Sequence, residues 1–277
     1  MQINNYFIDK YLGGITDNEL LIIGCPSGFG KTTFANSLAF DMLEIGIRPA
    51  LFSLENTIGD TLKLKAFLIW KNKTRNWNLK FRDWKMLSEK DQDVADSYIS
   101  AYNLINTFML VENEGVYGLE KLTADLERAK QSGANLIILD HLDFIDDGGL
   151  SLPLAQTKMM QTIKDFVDNN KIPVIAFSQL KKIMDKKVII PTESDVAGSA
   201  NKFRFSTGII MIQRDSENQY PEEHRYATYF VVRKDRYGSG VNVGERIFFD
   251  AKLGTYEKFG FKVGVSVDGT KIKELGI

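Results

Sequence analysis

Residues Leu20 to Thr33 read LLIIGCPSGFGKTT: an apolar run, a glycine-rich segment and the start of a helix-like pattern. A strand, a loop and a helix in this order form the context that a phosphate-binding loop requires. Successive backbone N–H groups in such a loop can surround an anion, and the positive end of the following helix dipole adds to the attraction. The segment therefore predicts a site for the phosphates of a nucleotide.

Individual residues of this loop have separate expected roles. Lys31 would reach the β- and γ-phosphates, and the Thr32 hydroxyl would bind Mg²⁺. The strict pattern GxxxxGK[ST] has glycine where this chain has Cys25, with Gly24 just before it. The residues expected to contact the nucleotide are Gly24, Ser27, Gly28, Phe29, Gly30, Lys31, Thr32 and Thr33. An ordinary strand–turn–helix with a fortuitous GKT is the alternative, while a dinucleotide fingerprint is disfavoured because the second half of GxGxxG is missing.

Short apolar runs alternate with helix-period segments along the rest of the chain. The expected strands are PALFSLE from Pro49, TFMLVE from Thr107, NLIILD from Asn135, IPVIAFSQ from Ile172 and GIIMIQRD from Gly208. After Arg225, alternating runs between Gly-rich turns indicate a β-hairpin at the edge of the sheet. Strands buried on both faces that alternate with helices predict an α/β fold with a mostly parallel central sheet flanked by helices.

Three of these strands end in side chains suited to phosphate chemistry. Asp140 ends LIILD, a position from which a carboxylate can hold the water shell of Mg²⁺. Many ATPases have a glutamate next to activate the attacking water, whereas this chain has His141. Glu55 is the candidate base and Gln179 the candidate γ-phosphate contact, because the carboxyl ends of adjacent parallel strands meet in one crevice. The alternatives are a helix-capping role for Glu55 and ordinary strand-end polar residues elsewhere.

The segment RKDRYG places Lys234 and Arg236 two residues apart, on the same face of a predicted edge strand. One interpretation is charge stabilisation of a neighbouring subunit's ATP, as an arginine finger supplied in trans. The other is a solvated basic edge that prevents aggregation, which edge strands commonly need. Residue spacing leaves both interpretations open.

A series of segments runs in order along the chain: LGGITDNELLIIGCPSGFGKTTFA, ALFSLEN, LIILDHLDFI, IPVIAFSQLKK, DVAGSANKFRFSTGIIMIQRD and VVRKDRYG. Together they resemble the RecA-type motor domain of hexameric replicative helicases, of the bacterial DnaB and bacteriophage primase-helicase types. The resemblance implies a RecA-like P-loop ATPase that uses ATP and Mg²⁺, with Thr32 and Asp140 at the metal. It also implies that Glu55 is the catalytic base and that Gln179 senses the γ-phosphate. Arg236 would then be the finger, with Lys234 beside it.

In the family that the chain resembles, single-stranded DNA passes through a central channel lined by two segments of each subunit. Here these correspond to residues 146–153, which are acidic, and 181–204, which have a modest excess of positive charge suited to backbone binding. The expected DNA contacts are Lys181, Lys182, Lys186, Lys187, Lys202 and Arg204. A solvated loop is the alternative. Ala197 stands where the family often has arginine, and Thr207 near its usual aspartate.

A second basic stretch, residues 63–85, contains all three tryptophans. Interleaved aromatic and cationic side chains can stack on single strands. However, the helical spacing of Phe67, Leu68 and Trp70 favours a core with the lysines on its solvated side.

Composition excludes several classes of protein. The chain has 277 residues and a formal charge of −1, so no global field attracts nucleic acid, and any DNA contact must be local. A single cysteine and two histidines exclude a disulfide framework and a Cys/His zinc site. No apolar run approaches ~18 residues, so no membrane partner is expected.

We expect residues 1–12 to be a short arm, a possible remnant of a linker helix, and residues 13–277 to be one motor domain. By the resemblance, the function is that of a ring-forming, 5′–3′ DNA helicase motor, a homo-oligomer and most simply a hexamer, in the cytoplasm of a bacterial or phage-infected cell. A separate primase, collar or loader protein would complete it. The alternatives are a DNA-binding ATPase that loads or forms filaments without unwinding, and an assembly ATPase directed at protein.

Overall fold

The computed structural model describes residues 1–87, 91–113, 115–146, 152–181, 189–196, 199–223, 225–238, 240–250, 252 and 255–275. The helices are α1 (Tyr6–Tyr11), α2 (Lys31–Glu44), α3 (Ile58–Thr74), α4 (Phe81–Trp84), α5 (Gln92–Ile105), α6 (Leu119–Gln131), α7 (Leu152–Asn170) and α8 (Ser199–Phe205). The strands are β1 (Leu20–Cys25), β2 (Pro49–Ser53), β3 (Met109–Glu112), β4 (Tyr117–Gly118), β5 (Leu136–Asp140), β6 (Ile145–Asp146), β7 (Val174–Gln179), β8 (Gly208–Tyr220), β9 (Arg225–Asp235), β10 (Val243–Asp250), β11 (Thr255–Val265) and β12 (Ile272–Glu274). Short 3₁₀ helices cover Leu142–Phe144, Glu193–Asp195 and Pro221–Glu223.

The main sheet has the order β12-β11-β10-β9-β8-β1-β7-β5-β2-β3. Strands β8, β1, β7, β5, β2 and β3 pair in parallel, whereas β8 to β12 pair antiparallel. The prediction of an α/β fold with a mostly parallel sheet and flanking helices is confirmed. The predicted edge hairpin is a larger antiparallel extension, in which β9 lies between β8 and β10. The expectation of an edge position for β9 is therefore wrong.

Side chains of the central strands alternate between two hydrophobic cores, as the two-residue period of a strand requires. Leu20 and Ile22 of β1 belong to the core that contains residues of α6 and α7. Leu21 and Ile23 belong to the core that contains residues of α1 and α2. Helices thus cover both faces of the parallel half of the sheet, which leaves the carboxyl ends of its strands for a site.

The register of the parallel strands aligns these carboxyl ends. Cys25 of β1 pairs with Gln179 of β7, and Ser53 of β2 pairs with Asp140 of β5. The backbone N–H of Leu54 continues this pairing by donating to the carbonyl of Asp140 at 2.8 Å. One edge of the sheet therefore carries the glycine-rich loop after β1 together with Glu55, Asp140 and Gln179.

The basic stretch 63–85 forms a small helical core of its own. Phe67, Trp70 and Trp84 are buried there with Val94 and Ala101 of α5. This confirms the interpretation of these aromatic residues as core. No helix among the described residues is both long and apolar enough to cross a membrane.

Replacing Trp84 by alanine tests this core. Trp84 is 1 % exposed and packs near the rings of Phe67 and Tyr98. Its removal should lower the free energy of unfolding by about 3–5 kcal/mol in guanidinium titrations, because a large cavity remains. Trp77 is half-buried, and Trp77→Ala is the matched control with an expected loss of about 1 kcal/mol. Equal losses for the two variants would contradict the placement of Trp84.

Candidate nucleotide-binding site

The loop between β1 and α2 has the backbone shape that its glycines permit. Gly28 and Gly30 have φ angles of 71° and 99°, where L side chains are strained. Phe29 is only 8 % exposed and belongs to the core beneath α2, so it anchors the loop while Ser27 stays exposed. Gly24 lies within β1, and a Cβ there would come within 2.6 Å of the Met211 sulfur, so its glycine also has a packing reason.

Lys31 and Thr32 begin α2 at the inner end of the loop. Lys31 is 6 % exposed. The Thr32 hydroxyl oxygen accepts a hydrogen bond from the Asn56 side-chain amide at 3.2 Å, which ties the loop to the segment after β2. A buried ammonium at this position needs a compensating anion, which the phosphates of a nucleotide would supply.

Asp140 at the end of β5 is a buried carboxyl without a hydrogen-bond partner. It is fully buried, and neither carboxyl oxygen has a hydrogen-bond partner among the described residues. Burial raises its pKa, while the nearby Thr32 hydroxyl, His141 and Lys31 act to lower it. An unpartnered buried carboxyl is costly, and a hard cation would satisfy it.

Thr32 and Asp140 together therefore fit a magnesium ion. Among the described residues, no group of three or more His, Cys, Asp and Glu side chains is arranged to hold a metal. Mg²⁺ commonly takes one or two protein ligands and completes its shell with phosphate oxygens and water. The two residues suit this partial role.

Glu55 lies just beyond β2 and is exposed at the same edge. Its side chain is 46 % exposed, and Oε2 lies 3.7 Å from Nε2 of His141. The N-cap of α3 is Thr57, whose side chain accepts from the backbone N–H of Asp60. Glu55 is not that cap, so the capping alternative is not supported.

Gln179 is held through its backbone by an acidic residue on the neighbouring segment. Its N–H donates to Oδ2 of Asp143 at 2.7 Å. Nδ1 of His141 lies 3.2 Å from the same oxygen, and Nζ of Lys202 donates to the other oxygen, Oδ1, at 2.8 Å. Burial acts to raise the pKa of Asp143, but the contacts with His141, Lys202 and Gln179 outweigh it and lower that pKa.

The prediction that Lys202 contacts DNA is wrong, because its side chain lies inside the protein. Lys202 is 1 % exposed, and its ammonium also donates to the Ser178 hydroxyl at 2.7 Å. Burial lowers its pKa, opposed by the adjacent Asp143. Its charge is compensated inside the protein and does not reach the surface.

Of the other predicted DNA contacts, Lys181 and Arg204 are exposed. Lys181 Nζ donates to the Ser194 carbonyl at 3.3 Å, and Arg204 lies 5.5 Å from the Phe205 ring. Lys182, Lys186 and Lys187 lie outside the described residues, as does most of the acidic segment 146–153.

Lys234 and Arg236 do not share a strand face as expected. Strand β9 ends at Asp235, so Arg236 lies in the following turn, where its side chain is exposed and its N–H donates to the Thr207 carbonyl at 2.9 Å. The ammonium of Lys234 donates instead to the backbone carbonyls of Phe203 and Ser206 at the end of α8. Burial, then the proximity of Arg236, lowers its pKa.

A cavity beside the loop was not predicted from the sequence. It has a volume of about 360 Å³ and reaches Gly30 and Thr33. Its remaining walls are Phe29, Phe34, Arg214, Tyr226, Thr228, Phe249 and Tyr256. Phe29 and Phe34 come from the loop and α2, and Arg214 comes from β8; all three lie in segments of the resemblance. Tyr226, Thr228, Phe249 and Tyr256 come from antiparallel strands and lie outside those segments.

The strand order, the loop after β1 and the residues at the strand ends define a P-loop protein of the RecA-like fold. The sequence model of the family described as DnaB-like helicase C terminal domain matches residues 3–258, and the chain belongs to that family.

Similar proteins include the replicative DNA helicase DnaC of Bacillus subtilis (strain 168), 24% identical over 241 residues, covering 83% of this chain and 51% of that protein. Replicative DNA helicase DnaB of Geobacillus stearothermophilus is 22% identical over 237 residues, covering 83% of this chain and 51% of that protein. The chain thus spans about half the length of these curated relatives. A solved DnaB-like replicative helicase, studied for its interactions with primase, has a TM-score of 0.74 at 17% identity, covering 92% of this chain and 61% of that one. At this identity the structural likeness supports the fold.

Thiol reactivity tests the burial of the strand that leads into the loop. Cys25 is the single cysteine, is fully buried, and has a pKa raised by burial. The folded chain should therefore expose less than about a tenth of a thiol equivalent to Ellman's reagent within minutes, against about one in guanidinium. Ser27→Cys, at an exposed loop position, is the control and should add one fast thiol. Rapid modification of Cys25 in the folded protein would contradict the structure.

Proposed function

We propose that this chain is the ATP-hydrolysing motor of a ring-forming DNA helicase that translocates on single-stranded DNA, with ATP and Mg²⁺ as its cofactors. The observation that carries the proposal is the buried, unpartnered carboxyl of Asp140 beside Thr32 and Lys31, at the inner end of the glycine loop. Membership of the DnaB-like family supports the choice of a helicase motor.

Each residue of the site would have a separate role in phosphoryl transfer. Backbone N–H groups of the loop and the ammonium of Lys31 would hold the phosphates and offset their charge. Thr32 and Asp140 would hold Mg²⁺, which supplies further neutralisation of phosphate charge when bound. Glu55 would accept a proton from the attacking water, a role that its exposed carboxylate allows. The Gln179 amide would contact the γ-phosphate.

The cavity beside the loop suits the nucleoside end of ATP. The rings of Tyr226, Phe249 and Tyr256 offer apolar surfaces for a base, and Arg214 and Thr228 offer hydrogen bonds. Because the cavity reaches Gly30 and Thr33, a nucleotide could occupy it with its phosphates in the loop.

Arg236 would act on the ATP of a neighbouring subunit in a homo-oligomer, most simply a hexamer. Its exposed position in a turn and its backbone anchor on Thr207 suit a finger held in a defined place. Lys234 binds the end of α8, so we assign it the support of this segment.

We further propose a separate primase, collar or loader protein as a partner, and the cytoplasm of a bacterial or phage-infected cell as the location. A DNA-binding ATPase without unwinding activity is the second candidate. The burial of Lys202 removes one predicted cation from the DNA surface of either candidate and does not distinguish them. Unwinding of a forked duplex separates the two candidates.

Mixing experiments test the in-trans role of Arg236. Arg236→Ala should bind MgATP with near-normal affinity but lose about 10³-fold in turnover, because the transition-state charge loses its external cation. Added to wild type at increasing ratio, it should depress the rate per wild-type subunit. Arg82→Ala, at an exposed arginine of α4, is the control and should leave both quantities unchanged. A constant rate per wild-type subunit on mixing would sink the in-trans role.

Salt titrations test the DNA surface. Removing both exposed cations in Lys181→Ala/Arg204→Ala should weaken binding to oligo-dT. It should also reduce the slope of log K against log[salt] by about 1.4, since each lost phosphate contact removes about 0.7. The control is Lys80→Ala/Arg82→Ala, which removes two exposed cations from the stretch 63–85 and should leave the slope unchanged. The opposite pattern would move the DNA contact to that stretch.

A further inference from the structure

Asp143, whose side chain is 23 % exposed, is the centre of a polar cluster that contains the buried side chains of Lys202 and His141. Its two carboxylate oxygens accept from the Gln179 backbone N–H and the Lys202 ammonium at 2.7 Å and 2.8 Å. His141 contacts it at 3.2 Å and also faces Glu55, at 3.7 Å. One carboxylate thus joins β7, the segment after β5, and helix α8.

Helix α8 is also held at its C-terminal end. Lys234 donates to the carbonyls of Phe203 and Ser206, and Arg236 donates its N–H to Thr207. The helix therefore lies between the polar cluster of its own subunit and the turn that carries Arg236. Arg204, exposed on the same helix, is one of the proposed DNA contacts.

We propose that Lys202 is a positioning residue that acts through Asp143, holding Gln179 and His141 in register with helix α8. The inference rests on the proposed function and deepens it, because it names a physical link between the DNA-facing helix and the γ-phosphate side of the site. A displacement of α8 moves the Lys202 ammonium. That motion shifts Asp143, and with it the backbone of Gln179 and the ring of His141 beside Glu55.

The ion pair joins a buried lysine to an aspartate whose side chain is 23 % exposed, and the energetics of such a pair agree with a positioning role. Exchanging such a pair for uncharged residues is often neutral or stabilising, whereas removing one partner leaves an uncompensated charge. The stability of the fold therefore does not require the charges of Lys202 and Asp143. Its directional hydrogen bonds fix where three separate segments meet, and small misplacements in an active site slow catalysis severely.

The test compares Lys202→Met, Asp143→Asn and the double variant Asp143→Asn/Lys202→Met. Each is measured for guanidinium unfolding, ADP binding, and kcat and KM for MgATP with and without oligo-dT. Lys71→Met is the matched control, because Lys71 is another buried lysine, 5 % exposed, in α3.

Lys202→Met should lower stability, whereas the double variant should unfold near the wild-type midpoint. Both should lose about 10- to 100-fold in kcat. ADP affinity should stay within about threefold, and stimulation by oligo-dT should be lost, because the phosphate loop is intact while α8 is uncoupled. Lys71→Met should change only the unfolding midpoint and leave kcat, KM, ADP affinity and stimulation by oligo-dT unchanged. A purely structural role makes a different prediction, namely that kcat returns to the wild-type value together with stability in the double variant.

A double variant with kcat within about twofold of wild type, or one that does not fold, would overturn the inference, because the pair would then serve folding alone. If the wild-type chain shows no ATP turnover, or if its turnover does not depend on Lys31, the proposed function is overturned and this inference with it. Lys31-dependent turnover with an unaffected double variant would overturn only the positioning role.

Discussion

Parallel pairing among β1, β7, β5 and β2 is the constraint on which the rest of the structure depends. The register that sets Ser53 against Asp140, and Cys25 against Gln179, brings the segments after the strands to a single edge. Because strand side chains alternate between faces, a shift of one residue would turn each of them to the opposite face. The two hydrophobic cores, one on each side of the sheet, hold this register in place.

Two acids on one short segment illustrate how the fold separates their roles. Asp140 is buried with no partner, and burial raises its pKa. Asp143, three residues later, has a side chain that is 23 % exposed, and its contacts with His141, Lys202 and Gln179 lower its pKa. The first carboxyl is left available to a cation, and the second is saturated by the protein. Such contrasting environments are how proteins give neighbouring carboxyls different tasks.

The parts of the site that the sequence predicted are those with a local signature. The glycine loop, Asp140 and Glu55 follow apolar strands directly, so strand order and parallel pairing suffice to bring them together. The burial of Lys202 was not predicted, because a count of lysines in a segment does not reveal which one faces inward toward an acid some sixty residues earlier. The alternating pattern predicts a strand through Arg236, whereas β9 ends at Asp235 and Arg236 lies in the turn. The cavity walls combine the loop and α2 with antiparallel strands distant in sequence, whose convergence depends on tertiary packing.

The central claim is that this edge of the sheet binds and hydrolyses magnesium-bound ATP, and phosphate release at increasing Mg²⁺ tests it most directly. Wild-type chain should show saturable, Mg²⁺-dependent turnover, and Asp140→Asn should require more Mg²⁺ or lose turnover. Lys31→Ala should abolish turnover while keeping the wild-type circular dichroism spectrum, because it removes the cation that faces the β- and γ-phosphates. Wild-type turnover in folded Lys31→Ala protein would contradict the account.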